Sequence, residues 1–212
     1  MDLSRKCFKA KRLPKVVSPA GRGLQPRSGM FVQNIAAWAN SDYPASMVQA
    51  RISWNNKSAL YFVTPTVVSW YYIFDRHDRW QILADSFQYL QKTRGLEIHA
   101  YVFMLNHVHL IIQAPNVAAV MRDFKPHTTR QIKSSLTASE PQMLDLFTRA
   151  DGTFKFWKSD NGPKMIAPEK FYLQKLNYIH NNPVHKGYVE QPEYWKWSSA
   201  NPHSAIKTVA VV

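Results

Sequence analysis

The chain has 212 residues, 45% of them hydrophobic, and a formal net charge of +13. That is one ordinary domain, or a domain plus a tail, with enough apolar side chains to bury a core. The absence of any apolar run of about 18 residues excludes a membrane-spanning helix, and the single cysteine, Cys7, excludes an intrachain disulfide or a Cys-rich zinc cage and fits a reducing, intracellular setting. The surplus of positive charge favours a polyanionic partner, most commonly nucleic acid, without separating a binder from an enzyme.

The first 50 residues carry eight Lys and Arg against Asp2 and Asp42, a charge of +6, and the remaining 162 carry +7. Pro14, Pro19, Gly21, Gly23, Pro26 and Gly29 interrupt the first stretch, which lacks periodicity. Residues 1–55 therefore read as a basic, flexible tail. An organelle transit peptide, or translated sequence ahead of a start at Met30 or Met47, are the alternatives.

From Leu60 the pattern sharpens. Leu60 to Thr64 is aromatic and β-branched and predicts a buried strand, with Val67 to Phe74 extending it past Pro65 as a bulge or second short strand. Asp78 is a candidate cap for a helix from Arg79 to Arg94, whose apolar stripe is Trp80, Leu83, Ala84, Phe87 and Leu90. Gly95 is its stop signal. Leu96 to Met104 and His107 to Gln113 predict a hairpin joined at Leu105-Asn106.

A helix over Val117 to Leu136 follows, which Pro126 should kink or split. Then come a polar insert to Gly152 with an uncertain short helix, a strand over Thr153 to Trp157, and a helix from Pro168 or Glu169 to Asn182, ended by Pro183. Its apolar residues include Phe171, Leu173, Leu176 and Ile179. The order β-α-β-β-α-β plus a last helix predicts an α+β, ferredoxin-like (RRM-like) antiparallel sheet with helices on one face and a further C-terminal helix. Trp195 and Trp197 are expected to pack the C-terminal segment onto the domain, with residues 201–212 as a tail.

Two short motifs carry chemistry. In His107-Val108-His109 both imidazoles project from the same side of a strand. They are either a ligand pair for a divalent metal or two satisfied histidines. In Tyr178-Ile179-His180-Asn181-Asn182-Pro183, Tyr178 and Asn182 share a helical face one turn apart. Asn182 offers a carbonyl oxygen and Tyr178 a phenol, though a helical tyrosine is commonly core and Asn before Pro commonly a terminator. Taken together, two imidazoles and an amide oxygen can form a metal site with open positions, and a tyrosine beside it could attack phosphorus.

The stretch Met104 to Ile112 resembles the metal-binding strand of HUH single-strand transposases. Tyr178 to Val184 (YIHNNPV) resembles the tyrosine helix of their REP-associated tyrosine transposase branch. The likeness extends to Phe124–Ile132 and Pro192–Ser199. Leu105 and Pro126 depart from the usual residues. The resemblance implies an HUH tyrosine transposase domain over residues 56–200 that cuts and rejoins single-stranded DNA near hairpins through a 5′-phosphotyrosine. It implies Tyr178 as nucleophile and His107, His109 and Asn182 as ligands of Mg2+ or Mn2+. It also implies a cytoplasmic, bacterial, nucleoid-associated protein with single-stranded or hairpin DNA as partner and no membrane; a homodimer is compatible with it.

Arg122, Lys125, Arg130 and Lys133 on the middle helix are expected to track phosphates. Lys155 and Lys158, flanking Phe156 and Trp157, combine charge with base stacking. Two rival functions remain: a catalytically silent DNA-binding module derived from a transposase, and a metal-dependent nuclease that uses water.

Overall fold

The computed structural model describes residues 59–159, 162–166 and 169–210. The expected basic tail and Pro168 lie outside the described residues. Four described strands, β1 (Leu60–Val63), β2 (Glu97–Phe103), β3 (Val108–Gln113) and β4 (Lys164–Ile166), form one sheet of order β2-β3-β1-β4. All three pairings are antiparallel, which is the ferredoxin-like arrangement. Three α-helices accompany it: α1 (Arg79–Arg94), α2 (Val117–Ser139) and α3 (Glu169–His185). Among the described residues no helix is long and apolar enough to cross a membrane.

The sheet is covered on both faces, and side-chain alternation decides which residues meet which helix. Phe103 lies opposite Val108, and its ring packs on Phe87 of α1. Phe87 stacks on Phe124 of α2 at 4.3 Å between ring centroids. Such a pair contributes about 0.5–1.5 kcal/mol beyond its burial. The same strands turn Val102 and His109, which also lie opposite each other, towards α3. Beyond β2, Phe103 and Tyr101 exchange backbone hydrogen bonds with residues 197–199, which blunts the free edge of that strand.

Helix α1 has the expected bounds. Gly95 ends it in the left-handed region at φ 60°, its N–H donating to the Leu90 carbonyl. Asp78 stands at the predicted cap position but its side chain makes no capping bond. Helix α2 runs unbroken through Pro126, and α3 continues past Pro183 to His185. A proline removes one N–H, and in the last turn of α3 that loss ends nothing. Leu173, expected among the apolar residues of α3, is exposed.

Thr153 to Trp157 forms no strand. Phe156 and Trp157 are consecutive and both buried, packed on Phe74 and, respectively, on Phe147 and Phe124. Alternation cannot describe a segment that buries neighbours in sequence. The fourth strand is instead the three-residue Lys164–Ile166, with only Ile166 buried. Past Pro65, Thr66 and Val67 make isolated bridges, and the chain then turns through a 3-10 segment, Val68–Trp70. Trp195 and Trp197 are buried, and the Trp195 indole donates to the Phe103 carbonyl. The described part of the C-terminal stretch is docked: Ile206 is buried and Val209 N–H donates to the Ile98 carbonyl.

Candidate active site and nucleic-acid interface

The paired histidines sit where β3 begins. Val108 N–H donates to the Pro65 carbonyl, and His107 bridges Thr66, which fixes this end of the strand against the end of β1. Both imidazoles are buried, with ring centroids 4.7 Å apart. Burial, helped by the charge of Lys186, pulls the His107 pKa down to about 4. Burial pulls His109 well below the usual histidine value too, with the charges of His107 and Lys175 adding to it. Both rings are therefore neutral at pH 7 and keep a lone pair.

Asn106 orients the first ring. Its Nδ2 donates to the Trp70 carbonyl at 2.6 Å, so its Oδ1 faces His107 Nδ1 at 2.7 Å. An amide oxygen only accepts, so Nδ1 carries the proton and the lone pair is on Nε2. His109 Nδ1 pairs with Thr64 Oγ1 at 2.9 Å. Its Nε2 lies 3.4 Å from the Tyr178 hydroxyl, too long for a strong hydrogen bond.

Helix α3 brings in the tyrosine. Ile179 is fully buried beneath the helix, and Tyr178, beside it, is 42% exposed. Phe62 of β1 stacks on the His109 ring and meets Tyr178 edge-on. Burial raises the Tyr178 pKa, and a hydrogen bond from the Asn182 side chain opposes the rise. Lys175, one turn earlier, holds its ammonium 5.0 Å from the centre of the Phe62 ring and 5.6 Å from that of Tyr178.

Asn182 is buried, and its Oδ1 has no hydrogen-bond partner. An orphaned buried carbonyl oxygen is costly unless something takes its lone pairs. No three of His, Cys, Asp and Glu cluster among the described residues, so a third donor beside the two imidazoles must be of another kind. Two neutral imidazoles and an amide oxygen form a donor set that fits a divalent ion.

Four of the six expected phosphate-tracking residues, Lys125, Arg130, Lys155 and Lys158, line one open groove of about 480 Å³. Lys133 lies over the Phe154 ring, and exposed Arg122 does not line the groove. Phe156 and Trp157 are not stacking platforms. Both belong to the core, and the Trp157 indole donates to Thr128 Oγ1. Thr64, Phe62, Trp70, Asn106, Lys175 and Lys186 join the site without having been singled out in the sequence. Only Asn106, next to the histidines, and Lys175, three residues before Tyr178, had a local signal.

Residues 67–150 match the family model for IS200-like transposases. The match spans 84 of the 212 residues. The matched span includes His107 and His109, whereas Tyr178 and Asn182 lie beyond it. Over this span the chain is thus similar to enzymes of the transposase class. It is similar to the REP-associated tyrosine transposase of Escherichia coli K12, with 28% identity over 139 residues, 62% of this chain and 75% of that protein. The fold is similar to that of a solved REP-associated tyrosine transposase bound to a REP hairpin. The TM-score is 0.52 at 22% identity, covering 68% of this chain and 77% of that one.

Proposed function

We propose that this protein is a transposase that cleaves and rejoins single-stranded DNA near hairpins through a covalent link to Tyr178. The observation that carries the reading is the approach of the Tyr178 hydroxyl to His109 Nε2, 3.4 Å, beside the orphaned Asn182 oxygen. In the first step Tyr178 Oη bonds to phosphorus and the bond from phosphorus to the 3′ oxygen breaks. The phenol loses its proton to solvent, and the 3′ oxygen leaves as a hydroxyl after taking one up. The 5′-phosphotyrosyl ester keeps the energy of the broken bond, so rejoining by a 3′-hydroxyl needs no nucleotide cofactor.

Asn182 positions the phenol and, by its hydrogen bond, eases ionisation that burial resists. Lys175 and Lys186 place positive charge beside the two histidines, which suits a phosphodiester anion. His107, His109 and Asn182 would hold a divalent ion, Mg2+ or Mn2+, whose charge when bound polarises a phosphate oxygen. Lys125, Arg130, Lys155 and Lys158 hold the backbone of the flanking strand. By analogy with the hairpin-bound neighbour, a DNA hairpin beside the cleaved strand is the natural substrate, met in a bacterial cytoplasm.

The test is a denaturing gel of the protein incubated with Mn2+ and labelled, hairpin-bearing single-stranded DNA. A covalent protein–DNA band that disappears in Tyr178→Phe is the expected result. Cleavage that survives Tyr178→Phe points to a water-using nuclease, and binding with no cleavage points to a silent DNA-binding module.

A further inference from the structure

Trp70 is the only exposed tryptophan among the described residues, at 52% exposure, and it stands at the mouth of the histidine site. Its ring meets His107 edge to face with centroids 5.7 Å apart. The backbone there is strained: Ser69 and Trp70 have φ of 53° and 60°, the left-handed region that side chains disfavour. The neighbours hold the strain in place. Trp70 N–H donates to the Val67 carbonyl, Val68 N–H to the Phe156 carbonyl, and Asn106 Nδ2 to the Trp70 carbonyl. An indole that is half in solvent gains little by packing, so packing alone does not account for this conformation.

The surroundings suit one kind of ligand. The Lys158 ammonium lies 4.5 Å from the centre of the Trp70 ring. A second open groove, of about 440 Å³, runs past Val68, Ser69, Lys155, Lys158 and Ser159. It shares Lys155, Lys158 and Ser159 with the basic groove along α2. A path lined by cations thus leads to an exposed π-face beside the catalytic histidines. Flat, weakly hydrated groups bound next to phosphates are nucleobases. A base inside a duplex has both faces covered by its neighbours, so an indole platform accepts an unpaired one.

Resting on the strand-transfer reading above, we propose that Trp70 stacks the unpaired nucleobase adjoining the phosphate attacked by Tyr178. Lys158 moves off the ring to pair with the neighbouring phosphate. The platform selects single-stranded DNA at the cleaved bond and presents that bond to the histidine site.

The test is fluorescence anisotropy with the full chain and a labelled hairpin-bearing oligonucleotide, repeated with a single abasic nucleotide at each position around the cleaved bond. Covalent adduct formation by the wild-type chain is read in parallel and maps that bond. In the wild-type chain one abasic position adjoining the bond should weaken binding by about 5- to 150-fold. Trp70→Ala should show a loss of similar size and become indifferent to that same position, while Trp70→Phe should keep most of the affinity. Retained affinity in Trp70→Ala overturns the platform, as does an abasic penalty that persists in it. Because the abasic series on the wild-type chain needs no variant, a flat profile there overturns the platform even if Trp70→Ala misfolds. If the wild-type chain forms no adduct, strand transfer itself fails; adduct formation with a flat profile removes the platform alone.

Discussion

The Tyr178 hydroxyl and His109 Nε2 lie 3.4 Å apart although 69 residues separate them in the chain. Neither local spacing nor the hairpin brings them together. The meeting depends on α3 lying against the face of the sheet opposite α1 and α2, with Ile179 buried beneath the helix and Phe62 between strand and tyrosine.

Ile179→Ala should therefore cost about 2–5 kcal/mol of folding stability in urea titration. It should also slow formation of the Tyr178 adduct at temperatures where the protein is still folded. A variant that loses stability but makes adduct at the wild-type rate would show that docking at Ile179 does not position the tyrosine.

Asn106→Ala removes the acceptor that holds His107 in the tautomer with its lone pair on Nε2. Calorimetric titration with Mn2+ should show affinity about 10- to 100-fold weaker. Unchanged affinity would assign Asn106 to the turn alone.

The basic groove predicts a salt dependence. If about five phosphates are neutralised, single-strand binding should fall with a log–log slope of roughly −3 to −4. Removing Arg130 and Lys155, which both line the groove, should make that slope shallower by roughly 1.4. An unaltered slope would place the DNA elsewhere on the surface.

Arg79 is fully buried and joins the start of α1 to the end of α2 through Ser135, Ser139 and Glu140, the last at 2.6 Å. Glu140→Gln strips the charge that compensates this guanidinium and should cost about 3–5 kcal/mol at pH 7. Burial works to raise the Glu140 pKa. The hydrogen bond from Arg79 and the charges of Arg76, Arg79 and His77 outweigh it and hold the carboxyl below its usual 4.5. The unfolded chain then takes up this proton first as pH falls. The contribution is complete above pH 4.5 and disappears as pH drops through the lower folded value. Acid unfolding followed by circular dichroism should be steeper in the wild type than in Glu140→Gln over that range.

Much of the frame was legible because its signals are local. The apolar stripe and Gly95 delimit α1, and the apolar strands either side of Leu105-Asn106 delimit the β2–β3 hairpin. Alternation along β3 puts His107 and His109 on one side whatever the rest of the chain does, and helical spacing puts Asn182 one turn from Tyr178. The fourth strand was not legible, since a three-residue edge strand with one buried side chain carries no period. The aromatics Phe156 and Trp157 looked like DNA-facing groups because composition cannot tell a buried ring from an exposed one. Tertiary packing alone decided that these two close the core while Trp70 faces solvent. It also decided that Thr64 and Asn106 steer the imidazoles and that Asn182 keeps a buried oxygen without a partner. Periodicity is a property of neighbours in the chain; a site assembled from β1, β3 and α3 is a property of neighbours in space.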